Sequence, residues 1–288
     1  LLRPANPFVS VSLVTLGMVA TQIGASLAKG LFLLIGASGT TALRLLLSAL
    51  VLAILFRPWR FRLDRAQWRA VGFYGAAMGA MNLLFYSALA TIPLGVAVAL
   101  EFTGPLAVAL AGSRRGIDFG WVALAVLGLL FLLPLFGLSE PMDPMGVVLA
   151  LAAGAFWAGY IVFGQRAGTG GGPHTVALGV GLGAALVLPF GLWSAGAAMF
   201  DPAILPLALA MALLSSAIPY SLDMLALPHL PARTFGILMS AQPALAALMG
   251  LVLLGEQLSA WQWAGIGAVM LASLGSTATA HRSPPPLA

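Results

Sequence analysis

An all-α integral membrane protein, with ten transmembrane helices forming two inverted five-helix repeats around a central cavity, is the fold predicted by three features of the chain. Charge is scarce. Of 288 residues, 61% are hydrophobic and only 7% are Asp, Glu, Lys or Arg, whereas a soluble domain carries about 25% charged residues. Apolar runs recur from one end to the other, and a span needs about 20 such residues. A pattern of prolines and small residues then returns after a fixed 138 positions.

The runs are bounded by proline, glycine and charge. The first covers residues 8–30 and ends at Lys29 and Gly30; it is long and has no small-residue cleavage site before a soluble part, so it reads as a permanent span. The second, 38–56, stops at Arg57 and Pro58, and the third, 70–91, lies between Arg69 and Pro93. The fourth, 94–112, closes at Arg114 and Arg115, and the fifth, 119–137, before Glu140. The second half supplies 145–164, 175–199, 203–227, 234–254 and 260–277. Residues 281–288 hold three consecutive prolines and are expected to be a disordered cytoplasmic tail.

Ten spans sort the loops into two sets. One set carries Arg3, the stretch from Arg57 to Arg69, Arg114, Arg115, Arg166, Arg233 and Arg282; the other carries Glu140, Asp143, Asp201 and Glu256. Basic loops stay cytoplasmic, so both termini are expected in the cytoplasm. The net charge of +5 is thereby accounted for by topology, and nucleic acid drops out as a partner.

Pro93 and Pro105 bracket the first part of the fourth run as Pro231 and Pro243 bracket that of the ninth, and PLAVALAG (105–112) lies over PALAALMG (243–250). Five is odd, so similar halves must enter the bilayer in opposite directions. The halves are expected at 1–139 and 140–280. Inverted repeats of this kind recur in secondary transporters, where exchanging the conformations of the halves moves the opening from one face to the other.

Four ionisable residues fall within or at the edges of spans: Lys29, Arg44, Glu101 and Asp223. A charge at mid-span costs roughly 2.5 to 3.5 kcal/mol on insertion scales, so each needs a protein or water partner. Arg44 and Glu101 both lie roughly 9 to 11 Å from the outer ends of their spans. They can pair, as a static bridge, or act as gate or substrate contacts. Lys29 can snorkel to water, and Asp223 reads as a structural link to the ninth helix, so both are expected to be structural. Uncharged polar groups gather at middle depth: Gln22, Ser26, Asn82, Tyr86, Thr103, Trp157, Tyr160, Tyr220 and Gln242. Such groups bond between helices or line an aqueous cavity. Pro105 and Pro243 each free a carbonyl four residues back, and kinks at equivalent places in two halves point to a transport site. The GxxxG pairs Gly75/Gly79 and Gly179/Gly183 read as close helix approach.

Catalytic chemistry finds no constellation. The sequence has no cysteine, which removes thiolate metal sites and cysteine nucleophiles. Ser38 sits in a GxSG pattern near the outer face, yet His174, His229 and His281 fall at the cytoplasmic side, too far to serve as its base. The glycines at 168 and 170–172 lack the Lys and Ser/Thr of a phosphate loop. No metal site and no cofactor are expected. A channel would need a filter of carbonyls or a ring of charge, which one buried acid does not supply.

Several contiguous motifs, GASLAKGLF (24–32), TALRL (41–45), PLGVAVALEFTGPLAVAL (93–110), PYSLDMLAL (219–227) and RTFGILMSAQPALAA (233–247), resemble the drug/metabolite transporter superfamily, in particular the bacterial threonine/homoserine exporters with two EamA-type repeats. The resemblance implies a bacterial inner-membrane protein that exports small amino acids and related metabolites, with aromatic substrates in some members. This chain departs from the exporters' pattern at Gln242 and Asp223, where they tend to have Glu. On this reading the partners are a small-molecule substrate and the lipid bilayer. Glu101 is expected to take a substrate ammonium and Arg44 its carboxylate, with Gln22, Asn82 and Gln242 around them and Phe85, Tyr86, Trp157 and Tyr160 as an apolar wall. If proton entry drives export, Glu101 is the titrating group. An uncoupled facilitator and a drug or lipid exporter of the same fold stay open.

Overall fold

The computed structural model describes residues 7–60, 62–111, 116–132, 142–167, 172–226, 229–230 and 232–279. Among these residues every regular element is helical. Helix α1 spans Pro7–Phe56, α2 Arg65–Leu89, α3 Leu94–Glu101, α4 Thr103–Ala111, α5 Gly116–Leu132 and α6 Pro144–Ala167. The chain continues with α7 Gly172–Ala195, α8 Leu205–Ala212, α9 Ile218–Ala226, α10 Ala232–Met239, α11 Gln242–Leu254 and α12 Ala260–Thr279. Four stretches are long and apolar enough to cross a membrane: Phe8–Phe56, Pro144–Gly164, Gly172–Phe200 and Thr234–Leu254. Large apolar side chains face outward, with Leu33 95% and Trp193 94% exposed, as lipid as solvent permits. The expected tail at 281–288, Arg3, Arg114, Arg115, Glu140, Arg282, the glycines at 168, 170 and 171, and the boundary at 139–140 lie outside the described residues.

The runs expected at 8–30 and 38–56 are joined without a loop. Residues 31–35 are Leu, Phe, Leu, Leu and Ile, which suit a helix in lipid, so the helix continues until Gly36. Only there does the backbone leave helical geometry, at φ +68° and ψ 170°, a region essentially reserved for glycine.

Close packing uses small residues. The two GxxxG pairs face each other between α2 and α7: a Cβ on Gly79 would lie 3.0 Å from Gly183 Cα, and one on Gly75 2.9 Å from the Gly179 carbonyl. Along α1 the hydroxyls of Thr15, Thr21, Ser26, Thr40 and Thr41 return to carbonyls four residues back. Polar groups in an apolar medium are thereby satisfied locally.

Three helical passages are interrupted. Between α3 and α4 the chain turns at Phe102; Pro105 has no N–H to offer the Glu101 carbonyl, and Thr103 Oγ1 donates to the Leu100 carbonyl at 2.6 Å. Between α10 and α11 it turns at Ser240 and Ala241, just before Pro243, and Ser240 Oγ meets Ser273 Oγ at 2.9 Å in the interior. Between α8 and α9 lies a π-helical turn, Leu213–Ala217.

Candidate functional site

The interruptions at Phe102 and Leu213–Ala217, and Met239 and Gln242 on either side of the turn at Ser240–Ala241, border one cavity of about 420 Å³. Arg44 and Glu101, 5% and 6% exposed, reach it from α1 and α3. Gln22, Asn82, Tyr86, Trp157, Tyr160 and Gln242 also line it, as do Phe85 and Pro105. Pro243 is buried on α11 and is not among the lining residues.

The Arg44 guanidinium is held by neutral groups. Its Nη1 donates to Ser215 Oγ at 3.2 Å, its Nη2 donates to Asn82 Oδ1, and Cζ lies 4.7 Å from the centre of the Tyr86 ring. Its buried Nε has no hydrogen-bond partner. Among the described residues the one ion pair is between Lys29 and Glu256, so Arg44 and Glu101 do not form the bridge that their equal depth allows. A buried guanidinium and a buried carboxyl group thus share the cavity without a salt bridge between them.

The remaining lining residues are fixed by their neighbours. Gln22 Nε2 donates to Gln242 Oε1 at 2.7 Å, linking α1 to α11 across the cavity. Asn82 Nδ2 donates to the Met78 carbonyl at 2.8 Å, which aims its oxygen at Arg44. Trp157 meets Phe102 edge-on at 5.6 Å, and Tyr160 stacks on Tyr74 at 4.8 Å. Phe235 and Met239 extend the apolar wall from α10. Ser26 and Thr103 spend their hydroxyls on backbone carbonyls. Asp223 belongs to α9, but its side chain and that of Tyr220 lie outside the described residues. Among the described residues no group of His, Asp and Glu side chains is placed to hold a metal ion.

Sequence reasoning passed over Ser215, Ser216 and Thr21, which also line the cavity. A serine in an apolar run ordinarily bonds its own helix, and nothing local in the sequence marks the π-helical turn that carries Ser215. The adjacent pair Ser215–Ser216 upstream of Pro219 is the one signal available.

Lys29 does more than snorkel. Its Nζ is 2.5 Å from Glu256 Oε1 and donates to the Ile92 carbonyl at 3.2 Å. Glu256 Oε2 accepts the N–H of Leu94 at 2.7 Å, at the first turn of α3. Beside this cluster α3 and α11 are in close contact, since a Cβ on Gly95 would lie 2.6 Å from Ala247 Cα. The middle of α1, the start of α3 and the segment just after α11 are thus tied together.

Residues 144–278 match the EamA-like transporter family. The threonine/homoserine exporter RhtA of Escherichia coli (strain K12) is 52% identical over 281 residues, 98% of this chain and 95% of that protein. The protein of the same name from Salmonella typhimurium (strain LT2) is 53% identical over 282 residues, 98% and 96% of the two chains. A solved crystal structure aligns over 95% of this chain and 98% of its own with a TM-score of 0.60 at 18% identity, a likeness of fold. Full-length identity above one half, together with the match over the second half, makes this chain a member of the EamA-like transporter family within the drug/metabolite transporter superfamily.

Proposed function

We propose that the chain exports small neutral amino acids of the threonine and homoserine type, with room for methionine or aromatic side chains, from the cytoplasm by alternating access. The observation that carries this reading is the pair of opposite charges, Arg44 and Glu101, that face one cavity without a salt bridge between them. A zwitterion supplies what each lacks: its carboxylate goes to Arg44 and its ammonium to Glu101. Gln22, Asn82 and Gln242 offer donors and acceptors around it, while Tyr86, Trp157 and Tyr160 tolerate different side chains. The names of the relatives point to the same substrates.

Ten passages through the bilayer, in two inverted halves, follow when the helices on either side of each interruption are counted as one span and α1 as two. Two features support that count. The turns at Phe102 and Ser240 are 138 residues apart, matching the repeat. Gly128 on α5 and Gly265 on α12 pack against each other, a Cβ on either lying 2.9 or 2.8 Å from the other's carbonyl, so the last spans of the two halves meet. Both termini then face the cytoplasm of a bacterial inner-membrane protein, and the Lys29–Glu256 end faces outward. Glu101 is the group we assign to proton coupling.

Purified protein in liposomes, offered threonine, homoserine, methionine and phenylalanine with and without a pH gradient, tests the reading. Saturable threonine and homoserine exchange that the gradient accelerates is expected. Transport of amphiphiles alone would overturn the amino-acid assignment, and gradient-independent exchange would overturn the coupling.

A further inference from the structure

The guanidinium of Arg44 can meet a substrate carboxylate only if something keeps it from the nearer anion, Glu101. Two neutral oxygens oppose that collapse. Asn82 is one, and it was already expected at the site. The other, Ser215, comes from the π-helical turn Leu213–Ala217, a local rearrangement that occurs frequently at functional sites. Ser215 Oγ donates to the Met211 carbonyl at 2.7 Å and accepts from Arg44 Nη1 at 3.2 Å. The first bond leaves the hydroxyl's lone pairs as what it can offer the cation.

The turn reaches Arg44 because α1 yields to it. A Cβ placed on Gly24 would lie 2.9 Å from Ser215 Cβ, 3.0 Å from its N and 3.2 Å from its Cα. Those neighbours are mostly backbone and cannot swing aside, so the glycine is what admits the turn to this depth. Gly24 and Arg44 belong to the two halves of the same helix, and Ser215 bridges from one to the other.

We infer that Ser215, seated against Gly24 by the π-helical turn, is a positioning residue that holds the Arg44 guanidinium away from Glu101 and turned to receive a substrate carboxylate. The inference rests on the amino-acid export proposed above and deepens it: recognition of the carboxylate, rather than of the side chain, depends on Ser215.

The test compares threonine with threoninamide, which keeps the ammonium and lacks the carboxylate, in liposomes holding wild type, Ser215→Ala or Gly24→Ala. With Ser215→Ala the half-saturating threonine concentration is expected to rise about tenfold, the size of one hydrogen bond to a charged group, with the maximal rate within about twofold. Inhibition by threoninamide should not change. Gly24→Ala should give the same pattern through a different atom. Equal loss for both compounds, or no change for threonine, overturns the inference. A second measurement needs no substrate: in detergent, the Tm shifts of Ser215→Ala and Arg44→Gln should be markedly non-additive in the double variant, and additive shifts overturn it. If the wild type takes up no threonine or homoserine, the export reading fails, and the Tm cycle still decides whether Ser215 holds Arg44.

Discussion

Among the described residues Arg44 has two side-chain hydrogen-bonding partners and Glu101 none, so the two residues should respond differently to substitution. Glu101→Gln keeps the size of the side chain and removes the charge that an ammonium would meet. Exchange of threonine should fall at least tenfold while Tm changes by no more than a few degrees; unaltered uptake would remove Glu101 from the site. Arg44→Lys keeps the charge and loses the forked donors that reach Ser215 and Asn82 together. It should lower both Tm and the apparent affinity for substrate, by thermal unfolding in detergent and by competition in liposomes. At this scale much of the cavity could be read from the chain, because a polar group at middle depth in an apolar span is costly and so announces itself. The nine residues expected around the substrate all border the same cavity. Ser215 could not be read, since its place depends on a change of helical pitch. The partner of Lys29 could not either: Glu256 is distant in sequence and reads as an ordinary loop acid.

Elements add a second set of expectations. Gly36 allows α1 to turn without a loop, and its φ of +68° with ψ of 170° excludes a side chain at low cost. Gly36→Ala should destabilise the protein by about 1 to 3 kcal/mol, the usual cost of a strained backbone conformation, visible as a lower Tm in detergent. The boundary of the first two apolar runs was legible to within a few residues: the break at Gly36 falls between the expected ends at 30 and 38, in a Gly-Ala-Ser-Gly stretch, although no loop follows it. Proline was a further guide. The interruptions near Pro105 and Pro243 fall within three residues of the prolines, at Phe102 and at Ser240–Ala241, because a missing N–H leaves a carbonyl four residues earlier without its usual donor. The interruption of α8 and α9 comes before Pro219, and its π-helical character has no such compositional marker.

For the molecule as a whole, the tie between Lys29, Glu256, Ile92 and Leu94 should govern access from one face. The natural chain has no cysteine, so a single Thr21→Cys reports on the cavity without background. A membrane-impermeant maleimide applied to whole cells should label it slowly, and faster by severalfold when Lys29→Met is added. Swapping the pair, Lys29→Glu with Glu256→Lys, should restore the closure only in part, because a lysine at 256 cannot accept the Leu94 N–H. Equal labelling in all three backgrounds would show that the tie does not close that face. Epitopes at the two ends of the chain should both be reached only after the cells are permeabilised: an even number of crossings puts them on one side, and the basic loops make that side the cytoplasm.

The turn at Gly36 has a mechanical corollary. Lys29 and Arg44 stand on the two arms of α1, joined at its single non-helical residue with no slack segment between them. On the export reading proposed above, parting the ammonium of Lys29 from its carboxylate would be felt, through that one joint, by the arm that carries the guanidinium.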